Sequence, residues 1–213
     1  VRRLAHGRSP DALLPEQAIR ISNTGVDDDG LVQAPGTADA HWLLTQSPHT
    51  TPPPPAVAAT VIQNHPAWLG NDPVGAPGSS WIGPVNPGTT NVAAGQYTYR
   101  TTFELDGAFL PETAILTLAF AVDNGVTDVL LNGQSAGIAA GGFGGFLGPY
   151  TIDSGFVAGL NTLDFVVTNA GTAPNPGGLR VEIGGTALVP EPATVSLLAL
   201  GGLALLRRRR KKA

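Results

Sequence analysis

Short alternating segments separated by Gly and Pro constrain the fold of this chain more than any other feature. Tyr97, Tyr99, Thr101, Phe103 and Leu105 alternate with polar side chains, which is the period of a half-buried β-strand. No body segment repeats its apolar residues with the period of an α-helix. We therefore predict an all-β body, a β-sandwich or jelly roll. Further strands are predicted in residues 18–22, 41–45, 57–62, 114–122, 127–131, 150–152, 163–168 and 179–184.

Composition excludes several classes of site. The chain has no Cys, which rules out disulfides, zinc–thiolate sites and a Cys nucleophile. Residues 1–206 carry 16 acidic and 6 basic side chains, a net charge of −10. So few cations cannot neutralise many phosphates, and we predict that the body does not bind nucleic acid. With 42% hydrophobic residues, the chain can still form a core of ordinary size.

The C-terminal tail has its own pattern. Residues 193–206 are 14 uncharged residues, which as a helix would extend about 21 Å, less than the bilayer core of about 30 Å. We predict a single hydrophobic helix that inserts marginally into a membrane, with the basic end on the cytoplasmic side. The alternatives are a buried C-terminal helix and an unprocessed tail anchor. The basic end consists of Arg207, Arg208, Arg209, Arg210, Lys211 and Lys212.

The tail consists of three parts in a fixed order. Pro190, Glu191 and Pro192 come first, the short apolar stretch follows, and the basic cluster comes last. This order resembles a PEP-CTERM sorting signal of Gram-negative bacteria. The resemblance implies recognition of the three-residue motif by an exosortase, a membrane cysteine protease-transpeptidase. It also implies an inner-membrane intermediate, removal of the signal, and delivery of the body to the cell surface or the extracellular matrix.

The domain boundaries follow from these patterns. We expect a poorly ordered lead-in over residues 1–17, one β-domain over 18–189, and the sorting signal over 190–213. A division into two domains at the proline-rich residues 47–55 is the alternative. Export needs a secretory signal, and residues 1–20 have a basic start without an apolar core. We expect that the true start lies upstream or that the peptide has been cut away.

Residues 80–188 contain an ordered series of short motifs, which include Trp81, Tyr99, Asp123, Asn132, Asn161 and Gly178. Their order resembles the galactose-binding-like jelly roll that accompanies many β-galactosidases and β-glucuronidases. The resemblance implies a carbohydrate-binding body, and no catalytic module follows it in this sequence.

Two sets of residues are candidate binding sites in the body. Trp68 lies in a loop between Pro and Gly, and Phe143 and Phe146 lie in a glycine-rich segment. We predict a flexible connection there, where aromatic rings can contact a ligand. Asp27 and Asp29 lie in an acidic cluster that offers oxygens to a structural calcium; a solvated turn is the alternative. We expect no other cofactor.

Together these features predict an exported surface or matrix protein that is not an enzyme. Its partners are an exosortase, exopolysaccharide, and the membrane, transiently through the C-terminal helix. The first alternative is an enzyme acting on polysaccharide, with carboxylates drawn from Glu104, Asp106, Asp123 and Asp128. The second is a structural coat protein without a small ligand.

The tail generates the first test. In a chain fused to a working signal peptide, we expect Glu191→Ala to leave the protein uncleaved in the membrane, because the recognition motif is lost. Immunoblots of membrane and extracellular fractions measure the result. Normal processing of the variant would contradict the sorting assignment.

Overall fold

The alternating segments pair into antiparallel β-structure, and the all-β prediction is confirmed. The computed structural model describes residues 14–48, 56–84 and 91–190. These ranges contain no α-helix, only a 3₁₀ turn at Pro111–Thr113. They form twelve strands: β1 (Glu16–Ala18), β2 (Ala38–Gln46), β3 (Val57–Val61), β4 (Ile82–Gly83), β5 (Asn91–Val92), β6 (Gly95–Leu105), β7 (Ile115–Leu131), β8 (Gln134–Ser135), β9 (Ala140–Ile152), β10 (Gly159–Asn169), β11 (Asn175–Pro176) and β12 (Gly178–Leu188).

Seven of these strands close a ring of pairings, in the order β12, β4, β3, β2, β6, β10, β7 and back to β12. β1 extends β12 on one side of the ring, while β8 and β9 pair with β7. β5 and β11 form a separate two-stranded sheet. Because β2 and β3 pair with each other, the ring includes strands from both sides of the proline-rich residues 47–55.

β7 is the longest described strand, and it pairs with two different strands along its length. Its residues from Ile115 to Asp123 pair with β12, and those from Gly125 to Leu131 pair with β10. β9 follows the other edge of β7 on both sides of this change of partner. The two strands predicted over 114–122 and 127–131 are therefore one continuous strand.

The interior is apolar and aromatic. The Phe165 ring centroid lies 5.6 Å from that of Trp42 and 5.7 Å from that of Phe120, distances typical of favourable aromatic pairs. All three side chains are fully buried. The alternation predicted in β6 points Tyr99 and Phe103 into this interior and leaves other side chains at the surface.

An Asn-Gly dipeptide forms the turn of one hairpin. Asn132 and Gly133 have φ angles of 52° and 78° and connect β7 to β8. Positive φ at both central positions is the geometry of a type I′ turn, which Asn-Gly favours. Asn132 also donates its amide to Asn161 Oδ1 at 2.8 Å, so the turn is tied to β10.

Some sequence predictions need correction or lie outside the structure. Residues 141–146, predicted as a flexible connection, belong to strand β9. Gly142 pairs with Val122 and Leu147 pairs with Phe120, so residues 143–146 form a register shift within the strand. β1 begins at Glu16, inside the predicted lead-in. The predicted C-terminal helix, Glu191, Pro192 and the six basic residues lie outside the described residues. In the part of the chain that the structure describes, no helix is long and apolar enough to cross a membrane.

The packing of Phe165 gives a stability test. Phe165→Ala should lower the free energy of unfolding by about 3–5 kcal/mol, because it leaves a cavity between two aromatic rings. Phe143→Ala is the matched control; this ring is 37% exposed, and the change should stay within about 0.5 kcal/mol. Urea denaturation followed by tryptophan fluorescence measures both, and equal losses would contradict the assignment of the core.

Candidate functional site

A second apolar cluster lies outside the ring. Residues 62–81 connect β3 to β4 and cover the outer face of the β7–β12 pair, where Ala121 is opposite Arg180. The Trp68 and Trp81 rings pack on each other with centroids 4.3 Å apart, and both side chains are buried. We name the whole group the outer cluster; it consists of Ile62, Trp68, Trp81 and Ala121, with Leu69 and Phe146 at its edge.

Arg180 holds the covering segment to the sheet. Its side chain is 2% exposed, although it projects from the outer face of β12. Its Nε donates to Ser79 Oγ at 2.8 Å, its Nη2 donates to Asp72 Oδ2 at 2.8 Å, and its Nη1 donates to the Gly70 carbonyl. The guanidinium also lies 5.0 Å from the centroid of the Phe146 ring, a cation–π contact. One buried cation therefore connects three positions of the covering segment to β9 and β12.

Asp123 is a buried carboxylate beside the outer cluster. Its Oδ2 accepts a hydrogen bond from Trp68 Nε1 at 2.8 Å. Its Oδ1 is also buried and has no hydrogen-bond partner among the described residues. Burial raises the pKa of Asp123 above its ordinary value, against the Trp68 hydrogen bond and the nearby His65, which lower that pKa. The site thus holds one enclosed carboxylate oxygen without a hydrogen-bond partner among the described residues.

The three predicted ligand residues are brought together here. The Leu69 amide donates to the Phe143 carbonyl at 2.7 Å, which joins the covering segment to β9. Phe143 is exposed, and Phe146 is half-buried against Arg180. Trp68 is only 6% exposed, so its ring is packed against protein and offers little surface for stacking. Trp42 and Trp81 are also buried, with Trp81 in the outer cluster.

The carboxylate of Asp27 is hydrogen-bonded within its own turn. Asp27 Oδ1 accepts hydrogen bonds from the amides of Asp29 and Leu31, at 3.0 and 2.8 Å, which is an Asx-type turn. Asp28 lies 3.4 Å from His41 Nε2. Within residues 14–48, 56–84 and 91–190, no group of three or more His, Asp or Glu side chains could hold a metal ion. Calcium binding by Asp27 and Asp29 stays a prediction.

Two carboxylates of the alternative enzyme hypothesis, Glu104 and Asp128, lie at distant positions along the same neighbouring strand. Glu104 is opposite Leu160 and Asp128 is opposite Val166 on the same strand, β10. Six residues of strand are about 20 Å, whereas a glycosidase pair is separated by about 5–9.5 Å. These two carboxylates therefore do not form such a pair. Of the remaining two, Asp106 caps the Ala108 amide and Asp123 is held by Trp68.

Sequence reasoning missed the central residue of this site. Arg180 alternates with buried residues on its strand, a pattern that predicts a solvent-facing side chain. The one available signal is rarity, because a body with so few basic residues places a cation in a strand that is otherwise mostly apolar. That signal cannot tell which segment covers the cation.

The end of the body is a second place of functional interest. Strand β12 runs to Leu188, whose amide donates to Thr113 Oγ1 at 2.9 Å and whose carbonyl accepts from the Leu110 amide at 2.9 Å. The Val189 amide donates to the Pro15 carbonyl at 2.9 Å. Pro190 is exposed and follows at once. In the part of the chain that the structure describes, the predicted motif thus begins directly after Val189, a residue that is hydrogen-bonded to the body.

Comparison with known protein families identifies the C-terminal tail. The PEP-CTERM protein-sorting motif matches residues 188–211. The chain carries a PEP-CTERM sorting signal. The match begins at Leu188, inside the last strand of the body. A PEP-CTERM signal implies an exported protein that passes through the membrane to the cell surface and is processed by an exosortase. No curated protein and no solved structure matches the chain, so the galactose-binding-like resemblance stays a prediction.

The raised pKa of Asp123 generates a test by pH. Below its ordinary pKa the carboxyl is protonated in the folded and unfolded states alike, and burial of its charge costs nothing. As the pH rises through the raised pKa, the folded state must hold a buried charge, so wild type loses stability relative to Asp123→Asn. Between pH 3 and pH 7, the Tm of the wild type should therefore fall relative to the Tm of Asp123→Asn, as measured by thermal melting at both pH values. A difference that is the same at both pH values would contradict the burial argument.

Proposed function

We propose that the body of this PEP-CTERM protein is a non-catalytic component of the extracellular matrix that binds exopolysaccharide. The sorting motif, joined directly to the last strand, is the observation that carries the surface destination. On this proposal an exosortase recognises Pro190, Glu191 and Pro192 while residues 193–206 lie in the inner membrane as a helix. Release of that helix leaves the β-body outside the cell.

The aromatic edge of the outer cluster is the proposed glycan contact. Phe143 is exposed and Phe146 is half-buried, and both lie in the segment of β9 where the register with β7 shifts. Half-buried carboxylates of Asp72 and Glu182 lie near the same Arg180 guanidinium. Aromatic faces beside a few convergent polar groups are the usual composition of a small-ligand site. A sugar ring could lie on the phenyl faces while its hydroxyls donate to the carboxylates.

The charge of the body favours a neutral glycan. Residues 1–206 carry a net charge of −10, and such a field repels acidic polysaccharides. The cations that could offset this repulsion locally are few. Arg180 is enclosed by its own hydrogen bonds, and Arg100 makes a bidentate pair with Asp164 at 2.7 Å. We therefore expect binding to uncharged exopolysaccharides.

Thermal melting against a panel of soluble neutral glycans tests the proposal. A ligand that binds only the native state, at 100 times its dissociation constant, adds about 2.7 kcal/mol of stability. We expect a glycan-specific rise in Tm that Phe143→Ala abolishes. The control Leu160→Ala, at an exposed apolar side chain on β10, should retain the rise.

The other outcomes separate the alternatives. No shift with any glycan, on a cooperatively melting protein, would favour a structural coat protein. New reducing ends in the incubated glycan would favour an enzyme. Parallel melts with calcium and with a chelator test the calcium prediction, and identical curves would contradict it.

A further inference from the structure

The strand topology gathers one set of loops and the sorting junction at the same end of the body. β6 ends at Leu105, opposite Gly159, where β10 begins. β7 begins at Ile115, opposite Thr186 near the end of β12. The loop over residues 106–114 joins these strand ends, and its Leu110 amide donates to the Leu188 carbonyl. We name residues 106–115, 153–160 and 186–190, together with β1, the junction end.

Chain length places the junction end close to a membrane whenever the tail is inserted. Among the described residues, Val189 is the last with a backbone hydrogen bond to the body, and the uncharged run begins at Ala193. Four extended residues span at most about 14 Å. The interfacial layer of headgroups is itself about 5–7 Å thick on each side of the bilayer core. The body therefore cannot lie far above the headgroups.

The junction end also exposes large apolar side chains. Leu160 is 64% exposed, the highest value for a large apolar side chain among the described residues. Val157 is 47% exposed and Ile115 is 43% exposed. The free energy falls when exposed apolar groups near the exit of a membrane segment enter the interface, because each group loses contact with water.

The charged side chains at the junction end indicate which lipid headgroups this surface can bind. Glu16, Asp106, Glu112 and Asp153 are exposed carboxylates at the junction end. These charges repel anionic headgroups, whose surface potential is negative. Zwitterionic headgroups present no such net charge and carry an ammonium group that can approach a carboxylate. The surface therefore fits a zwitterionic lipid layer.

We propose that the junction end is a lipid-facing surface. While the tail is inserted, this surface contacts zwitterionic lipids of the outer leaflet, and Val157 and Leu160 lie in the headgroup layer. This inference depends on the proposed membrane insertion of residues 193–206. The contact would orient the body relative to the membrane, because it holds Pro190 at the interface, where a membrane protease can reach it.

The absence of Cys in the chain makes the test direct. Leu160→Cys and the control Thr172→Cys each receive one nitrobenzoxadiazole label in the full chain. Thr172 is exposed and follows β10 at its far end, about 33 Å along the strand from Gly159. Both proteins are reconstituted in vesicles of phosphatidylcholine and phosphatidylethanolamine that contain a headgroup spin label. We expect at least twofold quenching at position 160 and no quenching at position 172.

Flotation of the same vesicles separates the two ways of failing. A chain that does not float contradicts membrane insertion of the tail, and the inference falls with it. A chain that floats with equally weak quenching at both positions overturns the lipid-facing surface alone. Replacing part of the phosphatidylcholine with phosphatidylglycerol should reduce quenching at position 160; unchanged quenching would contradict the charge argument.

Discussion

Strand β7 is the constraint on which the rest of the structure depends, since the ring of pairings closes only because this strand serves two partners. Phe120 and Val122 point into the interior beside β12, and Val126 and Val129 do so beside β10. The interior therefore stays continuous across the change of partner. Ala121, between two inward residues, leaves its small side chain on the outside, where the covering segment packs.

The outer cluster depends in turn on Arg180. Removing a charge from water is costly unless hydrogen bonds replace the lost hydration, and Asp72, Ser79 and Gly70 supply these bonds. All three acceptors belong to the segment between β3 and β4, so the segment and the cation stabilise each other. The arrangement fixes Trp68 over Asp123 and Phe146 at the edge. The proposed glycan contact thus rests on a buried ionic network outside the main core.

The two ends of the described chain explain how body and signal work together. β1 pairs with the last residues of β12, Glu16 opposite Leu188, so the N-terminal side of the domain secures the strand that precedes the motif. A motif that follows such a strand without a spacer is presented from a fixed place on the body. In the proposed orientation, the exposed apolar side chains near that place face the membrane during sorting.

The sequence by itself determined the all-β class, most of the strands, the Asn132–Gly133 turn and the sorting signal, because each depends on local periodicity, local φ preference or a contiguous motif. Tertiary structure alone decided that the segment around Phe143 is a strand, that Trp68 is buried, and that the outward-facing Arg180 is enclosed. In each of these cases a segment distant in the sequence covers or pairs with the residue. Alternation along a strand reports which side a residue faces, but not what lies on that side.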